Sequence, residues 1–145
     1  MLKPSGLKAK ILIIDDDADI RESIQLALED QPILAISFWQ AKDVEAGLKL
    51  LKKHQPDLVI IDLHMPGKSG FDFMDILQKD ETFKAVRILM LTADNTLSNL
   101  FKAEDKGHGR YDYLAKPFNI TDLQAFVYGM LITDKPEAPK PRQTD

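Results

Sequence analysis

The chain contains no cysteine, and that absence removes disulfides, thiolate metal sites and a thiol nucleophile at once. It fits a reducing compartment, with the cytoplasm as the default expectation. Long apolar runs are missing too. Met1-Leu2-Lys3-Pro4 leads toward an apolar stretch, Ile11 to Ile14, that meets three aspartates after only four residues. This is too short for a signal peptide or a spanning helix, so no membrane association is expected. Nor is there a cluster of Lys and Arg: 19 basic residues stand against 23 acidic ones, for a formal charge of −4. Binding a phosphate backbone needs a basic face, so direct contact with nucleic acid is not expected.

What remains is an ordinary globular composition, 44% apolar and 29% charged over 145 residues. A chain of this size suits one domain, able to bury roughly 68–70% of the surface its unfolded form exposes. Strand-like runs occur at Ile11 to Ile14, Ile33 to Phe38, Leu58 to Ile61, Val86 to Leu91 and Tyr111 to Ala115. Between them, apolar residues recur at helical spacing: Ile20, Ile24, Ala27 and Leu28; Val44, Leu48 and Leu51; Phe73, Met74 and Leu77; Leu97, Leu100 and Phe101. Leu123, Phe126, Val127, Met130 and Leu131 form a wide stripe on a last helix. Asp17 is the expected cap of the first helix, and Asn119 or Thr121 that of the last.

Near-continuous apolar strands separated by amphipathic helices indicate a parallel sheet covered on both faces. The expected fold is therefore α/β, a doubly wound, flavodoxin-like (βα)5 domain over residues 9–132 with strand order 2-1-3-4-5. A flexible N-terminus is expected over 1–8. Residues 133–145 carry three prolines, mixed charge and no aliphatic pattern, and read as a disordered tail or linker.

Four of the strands run into polar chemistry: Asp15-Asp16-Asp17, Asp62, Thr92-Ala93 and Lys116-Pro117. In an open parallel sheet the ligand crevice lies beyond the carboxyl ends of the strands, where strand order reverses. Here that is between Asp15/Asp16 and Asp62. Two carboxylates about 4 Å apart repel by roughly 4 kcal/mol at an effective dielectric near 20, so protons or a hard cation must neutralise them. An oxygen-only donor set without His or Cys spacing favours magnesium, held by Asp15, Asp16, Asp62 and the backbone carbonyl of His64. Lys116 and the Thr92 hydroxyl can pair with the other oxygens of a phosphoryl group, which leaves Asp62 as the nucleophile that accepts it. Singly these residues read as loop, cap and turn. The weight lies in four separate elements placing complementary groups at one end of one sheet.

The stretches Ile-Leu-Ile-Ile-Asp-Asp-Asp (11–17), Asp-Leu-His-Met-Pro-Gly-Lys-Ser-Gly (62–70), Met-Leu-Thr-Ala (90–93) and Tyr-Leu-Ala-Lys-Pro-Phe (113–118) resemble the receiver domain of two-component response regulators. The resemblance covers about residues 9 to 132. It implies that Asp62 takes phosphate from a sensor histidine kinase, a phosphotransfer protein or a small phosphodonor, and that Asp15 and Asp16 hold Mg2+. It implies that Thr92 and Tyr113 form a switch pair, that Lys116 pairs with the phosphate, and that the Lys116-Pro117 bond is cis. Water would approach past His64 and Asp94. The helix around 96–106, the fifth strand and the last helix would form the surface for dimerisation or an effector. Such a domain is no enzyme acting on an external substrate; it assists its own phosphorylation and dephosphorylation. Asp17, which makes the acidic run a triplet, and the segment Glu104 to Arg110, slightly longer than usual, are less typical.

Other classes share parts of this pattern. A flavodoxin-like flavin binder has the same sheet order but cradles phosphate in a Gly/Ser/Thr-rich loop after the first strand, which is acidic here. A magnesium-dependent phosphohydrolase of the haloacid dehalogenase type places a second acid two residues after its nucleophile, where this chain has His64. A pseudo-receiver that only binds partners would not need the intact set Asp15, Asp16, Asp62, Thr92 and Lys116.

Overall fold

Aliphatic side chains fill consecutive positions of β1 (Lys8–Ile14), β3 (Leu58–Asp62) and β4 (Arg87–Thr92), so these strands are satisfied only between two layers of helix. The computed structural model, which describes residues 8–93 and 111–132, places them there. With β2 (Ala35–Ala41) and β5 (Tyr111–Ala115) they form a parallel sheet of order β2-β1-β3-β4-β5. Helices α1 (Ala18–Glu29), α2 (Val44–His54), α3 (Gly70–Gln78) and α4 (Ile120–Ile132) cover it, with a 3-10 turn at Glu81–Phe83. The doubly wound α/β expectation is borne out. The helix expected around 96–106, the segment 1–7 and the tail 133–145 lie outside the described residues.

The pleat sorts the core into two halves. Ile11, Ile13, Leu58, Ile60, Leu89 and Leu91 pack on one face with residues of α1 and α4, including Ile24, Leu28, Leu123 and Val127. On the other face, Leu12, Ile14, Val59, Ile61, Ile88 and Met90 pack with Val44, Leu51, Phe73 and Leu77 of α2 and α3. Each such side chain contributes about 1.5–3 kcal/mol by burial. A slip of one residue in any strand would exchange the faces, so register is firmly set. By the same two-residue period, Asp15 and Asp62 continue the α1/α4 face and Thr92 continues the other.

The strand boundaries differ from the sequence pattern by one residue at β3, which runs on to Asp62, and at β4, which is Arg87–Thr92 rather than 86–91, and by more at the first two strands. The first strand begins at Lys8 rather than Ile11, since Lys8, Ala9 and Lys10 already pair with β2. The second runs Ala35–Ala41 rather than 33–38. Gln31 is the cause: its Oε1 accepts from the N–H groups of Ile33 and Leu34 at 2.9 and 2.8 Å, and its Nε2 donates to the Leu34 carbonyl at 2.7 Å. Residues 33 and 34 are thereby held in a turn, and pairing carries on to Ala41 opposite Ile14. Asp17 caps α1 as expected, accepting from Asp19 and Ile20. For α4 the cap is Asn119, whose side chain accepts from Asp122 N–H at 2.7 Å.

Between β3 and α3 the chain turns tightly. Gly67 takes a φ of 78°, a conformation that favours glycine, and Ser69 and Asp72 close a capping box at the start of α3. The helix begins against the end of β3: a Cβ on Gly70 would lie 3.1 Å from both the Asp62 carbonyl oxygen and Leu63 Cα. Backbone cannot yield as a side chain can, so Gly70→Ala should cost about 1–3 kcal/mol. Urea denaturation measures this directly. An unchanged midpoint would show that α3 can move off Asp62 freely.

Candidate functional site

Each polar residue at the sheet's carboxyl end sits where a backbone ladder finishes. Asp15 N–H donates to the Ala41 carbonyl at 3.1 Å, Leu63 N–H to Leu91 at 2.9 Å and Lys116 N–H to Thr92 at 2.7 Å. Neighbouring strands thus hold the backbone from which the side chains project. Asp15, Asp16 and Asp62 present carboxylate oxygens that all lie within 4.8 Å of one another. Lys116 Nζ lies 3.5 Å from Asp15 Oδ2 and 3.3 Å from Asp62 Oδ2. Asp15 and Asp62 are buried and Asp16 is exposed.

Each buried carboxylate is aimed by its own loop. Asp15 Oδ1 accepts from Asp17 N–H at 2.8 Å, and Asp62 Oδ1 from His64 N–H at 3.0 Å. The second oxygen of each faces Lys116. Asp15 Oδ2 is buried and makes no hydrogen bond among the described residues. Burial pushes the Asp15 carboxyl above the usual range, outweighing the Asp17 N–H and the Lys116 ammonium, while Asp62 and Asp16 push it the same way. A buried carboxylate oxygen that has an ammonium nearby but accepts no hydrogen bond among the described residues, in an all-oxygen cluster with one solvent-facing member, fits a magnesium site.

Thr92 is fully buried at the end of β4, and its Oγ1 lies 3.3 Å from Nε2 of the exposed His64. Tyr113 pairs with Met90 in the β4/β5 register and is buried in the α2/α3 half of the core. Thr92 follows Met90 by two residues, so Thr92 and Tyr113 share a sheet face. The structure therefore gathers Asp15, Asp16, Asp62 and Lys116 into one cluster, sets Thr92 at its edge beside His64, and keeps Tyr113 in the core. The Lys116-Pro117 peptide bond is cis, as expected. Asp94 lies outside the described residues.

One residue at the site gives no sign of itself in the sequence. Arg21 of α1 donates from Nη1 to the Asp15 carbonyl at 2.6 Å and from Nε to Gln40 Oε1 at 3.1 Å. A polar residue on an amphipathic helix reads as solvated surface, and only the folded loop reveals where this one points.

The buried charge on Asp15 has a consequence for stability. A carboxyl whose folded pKa is raised binds its proton more tightly when folded, so stability declines as pH rises from the unfolded value through the folded one. Asn at position 15 keeps the acceptor for Asp17 N–H and removes the charge. Asp15→Asn should therefore stabilise the metal-free protein by on the order of 1 kcal/mol. The gain should be larger near neutral pH than below the ordinary aspartate range. Thermal melts at both pH values check this; equal gains would place the cost elsewhere than in the buried charge.

A family model described as the response regulator receiver domain matches residues 11–128. The chain is 36% identical over 133 residues to the DNA-binding dual master transcriptional regulator RpaA of Synechocystis, covering 90% of this chain and 53% of that protein. It is 34% identical over 121 residues to the phosphate regulon transcriptional regulatory protein PhoB of Pseudomonas aeruginosa, covering 83% and 51%. It thus spans about half the length of these relatives. Among solved structures, chemotaxis protein CheY4 of Vibrio cholerae aligns with a TM-score of 0.70 at 31% identity, covering 86% of this chain and 99% of that one. A response regulator receiver domain protein from Clostridium thermocellum aligns with a TM-score of 0.70 at 29% identity, covering 85% and 94%. Among the described residues no helix is long and apolar enough to cross a membrane. With sheet order, acidic cluster and family match in agreement, the chain belongs to the receiver domains of response regulators, phosphoacceptor domains in signalling.

Proposed function

We propose that Asp62 is the phosphoacceptor of a receiver domain spanning residues 9–132, charged by a sensor histidine kinase, a phosphotransfer protein or a small phosphodonor. The observation that carries this reading is the Lys116 ammonium lying within 3.5 Å of Asp15 and Asp62, where the carboxylate oxygens of Asp15, Asp16 and Asp62 converge. Asp62 Oδ1 is occupied by the His64 N–H while Oδ2 faces Lys116, so Oδ2 is the attacking atom. It bonds to phosphorus as the bond from phosphorus to the donor breaks, and the leaving group departs with that electron pair. Lys116 then shares its charge with a phosphoryl oxygen. Asp15, Asp16, Asp62 and the His64 carbonyl would hold Mg2+, which supplies positive charge to the transferring group.

Thr92 is the residue set to respond. Its hydroxyl exchanges His64 for a phosphoryl oxygen, and Tyr113, on the same face, adjusts with it. The altered surface comprises β5 and α4, where a second copy or an effector binds. The domain works in the cytoplasm. Relatives such as RpaA carry DNA-binding in their names, but this domain's own contacts are with kinase and effector.

With acetyl phosphate and magnesium, intact-mass measurement should show a single added phosphoryl group. Asp62→Ala should abolish it. Modification persisting in that variant would refute the assignment.

His64 governs how long the phosphoryl group lasts. Before phosphorylation its ring lies 3.3 Å from Thr92 Oγ1; released from Thr92, the ring stands beside the acceptor and covers the approach of water in line with the Asp62 bond. Excluding water removes the reactant. His64→Gly should shorten the phosphoryl lifetime roughly tenfold, about 1.4 kcal/mol in barrier, followed as phosphate release at fixed magnesium. A lifetime equal to or longer than the wild type's would show that His64 is no shield.

A further inference from the structure

We infer that Arg21 is a positioning residue for the metal loop, fixing the peptide plane between Asp15 and Asp16 and with it the direction of the exposed Asp16 carboxylate. The inference rests on the magnesium site proposed above. Arg21 Nη1 donates to the carbonyl oxygen of Asp15 at 2.6 Å. A peptide unit is planar, so holding that oxygen also fixes the nitrogen and Cα of Asp16. From the other side, Asp15 N–H is bound to Ala41 and Asp15 Oδ1 receives Asp17 N–H. Arg21 thus holds the Asp15–Asp16 peptide unit itself, while the Ala41 and Asp17 bonds hold the peptide units on either side of it. Asp16 is exposed, without a packed wall around its side chain, and its aim derives from the backbone.

Arg21 can serve as a clamp because it is itself immobilised. Its Nε donates to Gln40 Oε1 at 3.1 Å, Gln40 Nε2 to Gln25 Oε1 at 2.9 Å, and Gln25 Nε2 to Glu29 Oε2 at 3.2 Å. Arg21, Gln25 and Glu29 recur every four residues on α1 and so lie on one face, with Gln40 of β2 joining the row. The guanidinium is a rigid fork that satisfies two acceptors at a fixed angle, which an ammonium on a flexible stem cannot do. One tine goes to a residue of the acidic cluster. A contact serving only helix packing would not need it.

Metal selectivity separates this role from simple stabilisation. Magnesium demands near-octahedral geometry, whereas calcium accepts a looser oxygen shell. A freed Asp16 should thus harm magnesium binding more. The experiment is calorimetric titration of the full chain with Mg2+ and with Ca2+, in wild type, Arg21→Gln, Arg21→Lys and Gln40→Leu, with metal-free melts alongside. Arg21→Gln should lose about tenfold in magnesium affinity and about threefold or less in calcium affinity. Arg21→Lys should recover part of the loss, and Gln40→Leu, which frees one tine only, should fall between. Unchanged magnesium affinity in Arg21→Gln, or equal losses for both metals, would overturn the inference. Should Arg21→Gln fail to fold, wild-type magnesium affinity in Gln40→Leu would overturn it equally. A wild type that binds no magnesium would remove the metal site itself, and the inference with it.

Discussion

Lys116 stands between two buried carboxylates, and the carboxyl end of the sheet is arranged to keep it there. It leaves β5, while Asp15 and Asp62 end β1 and β3, so its side chain must reach past the end of β4. The pleat makes this feasible. Thr92 belongs to the α2/α3 face, and the next residue, Ala93, falls on the face the ammonium crosses. Ala93 lines the same cavity as Lys116; its methyl group is small, whereas a long side chain there would stand in the ammonium's path. The Thr92 carbonyl meanwhile accepts from the Lys116 N–H at 2.7 Å and fixes where the lysine stem begins.

Because faces alternate, the buried carboxylates and the Thr92/Tyr113 pair lie on opposite sides of one sheet. Asp15 and Asp62 share a face with the α1/α4 half of the core, Thr92 and Tyr113 with the other half. Thr92 joins the two. Its carbonyl meets Lys116 and its hydroxyl meets His64, the residue whose N–H aims Asp62. Asp62 and Thr92 are thus linked by two short connections, among strands whose aliphatic residues are mostly removed from solvent. A close-packed interior favours discrete rearrangement over gradual deformation.

The strand order and the positions of Asp15, Asp62, Thr92 and Lys116 were legible because a strand buried on both faces leaves an apolar run whose end is unmistakable. Boundaries set by side chains were not. Gln31 delays β2 to Ala35 by offering its amide to the backbone of residues 33 and 34, and no periodicity announces such a bond. The choice between Asn119 and Thr121 as the α4 cap likewise needed the geometry. Tyr113 was available only through resemblance, since an aromatic residue in a strand reads first as core, and core is where it lies. Arg21 left no pattern at all, because its acceptor is a backbone carbonyl that every residue possesses.

Charge balance explains why so small a site needs so much structure. With all three carboxylates ionised, one ammonium leaves an excess of two negative charges within the cluster. A phosphoryl group on Asp62 adds further negative charge, yet Lys116 is already shared between Asp15 and Asp62. A dication offsets the excess only if the carboxylates are kept apart from other partners and pointed at a common centre. Buried acids tend instead to take up protons, which is the direction Asp15 shows. The Asp17 N–H and the Lys116 ammonium oppose that tendency at Asp15, and the His64 N–H fixes Oδ1 of Asp62. The fold thus holds its acids close together, an arrangement that the proposed dication would relieve.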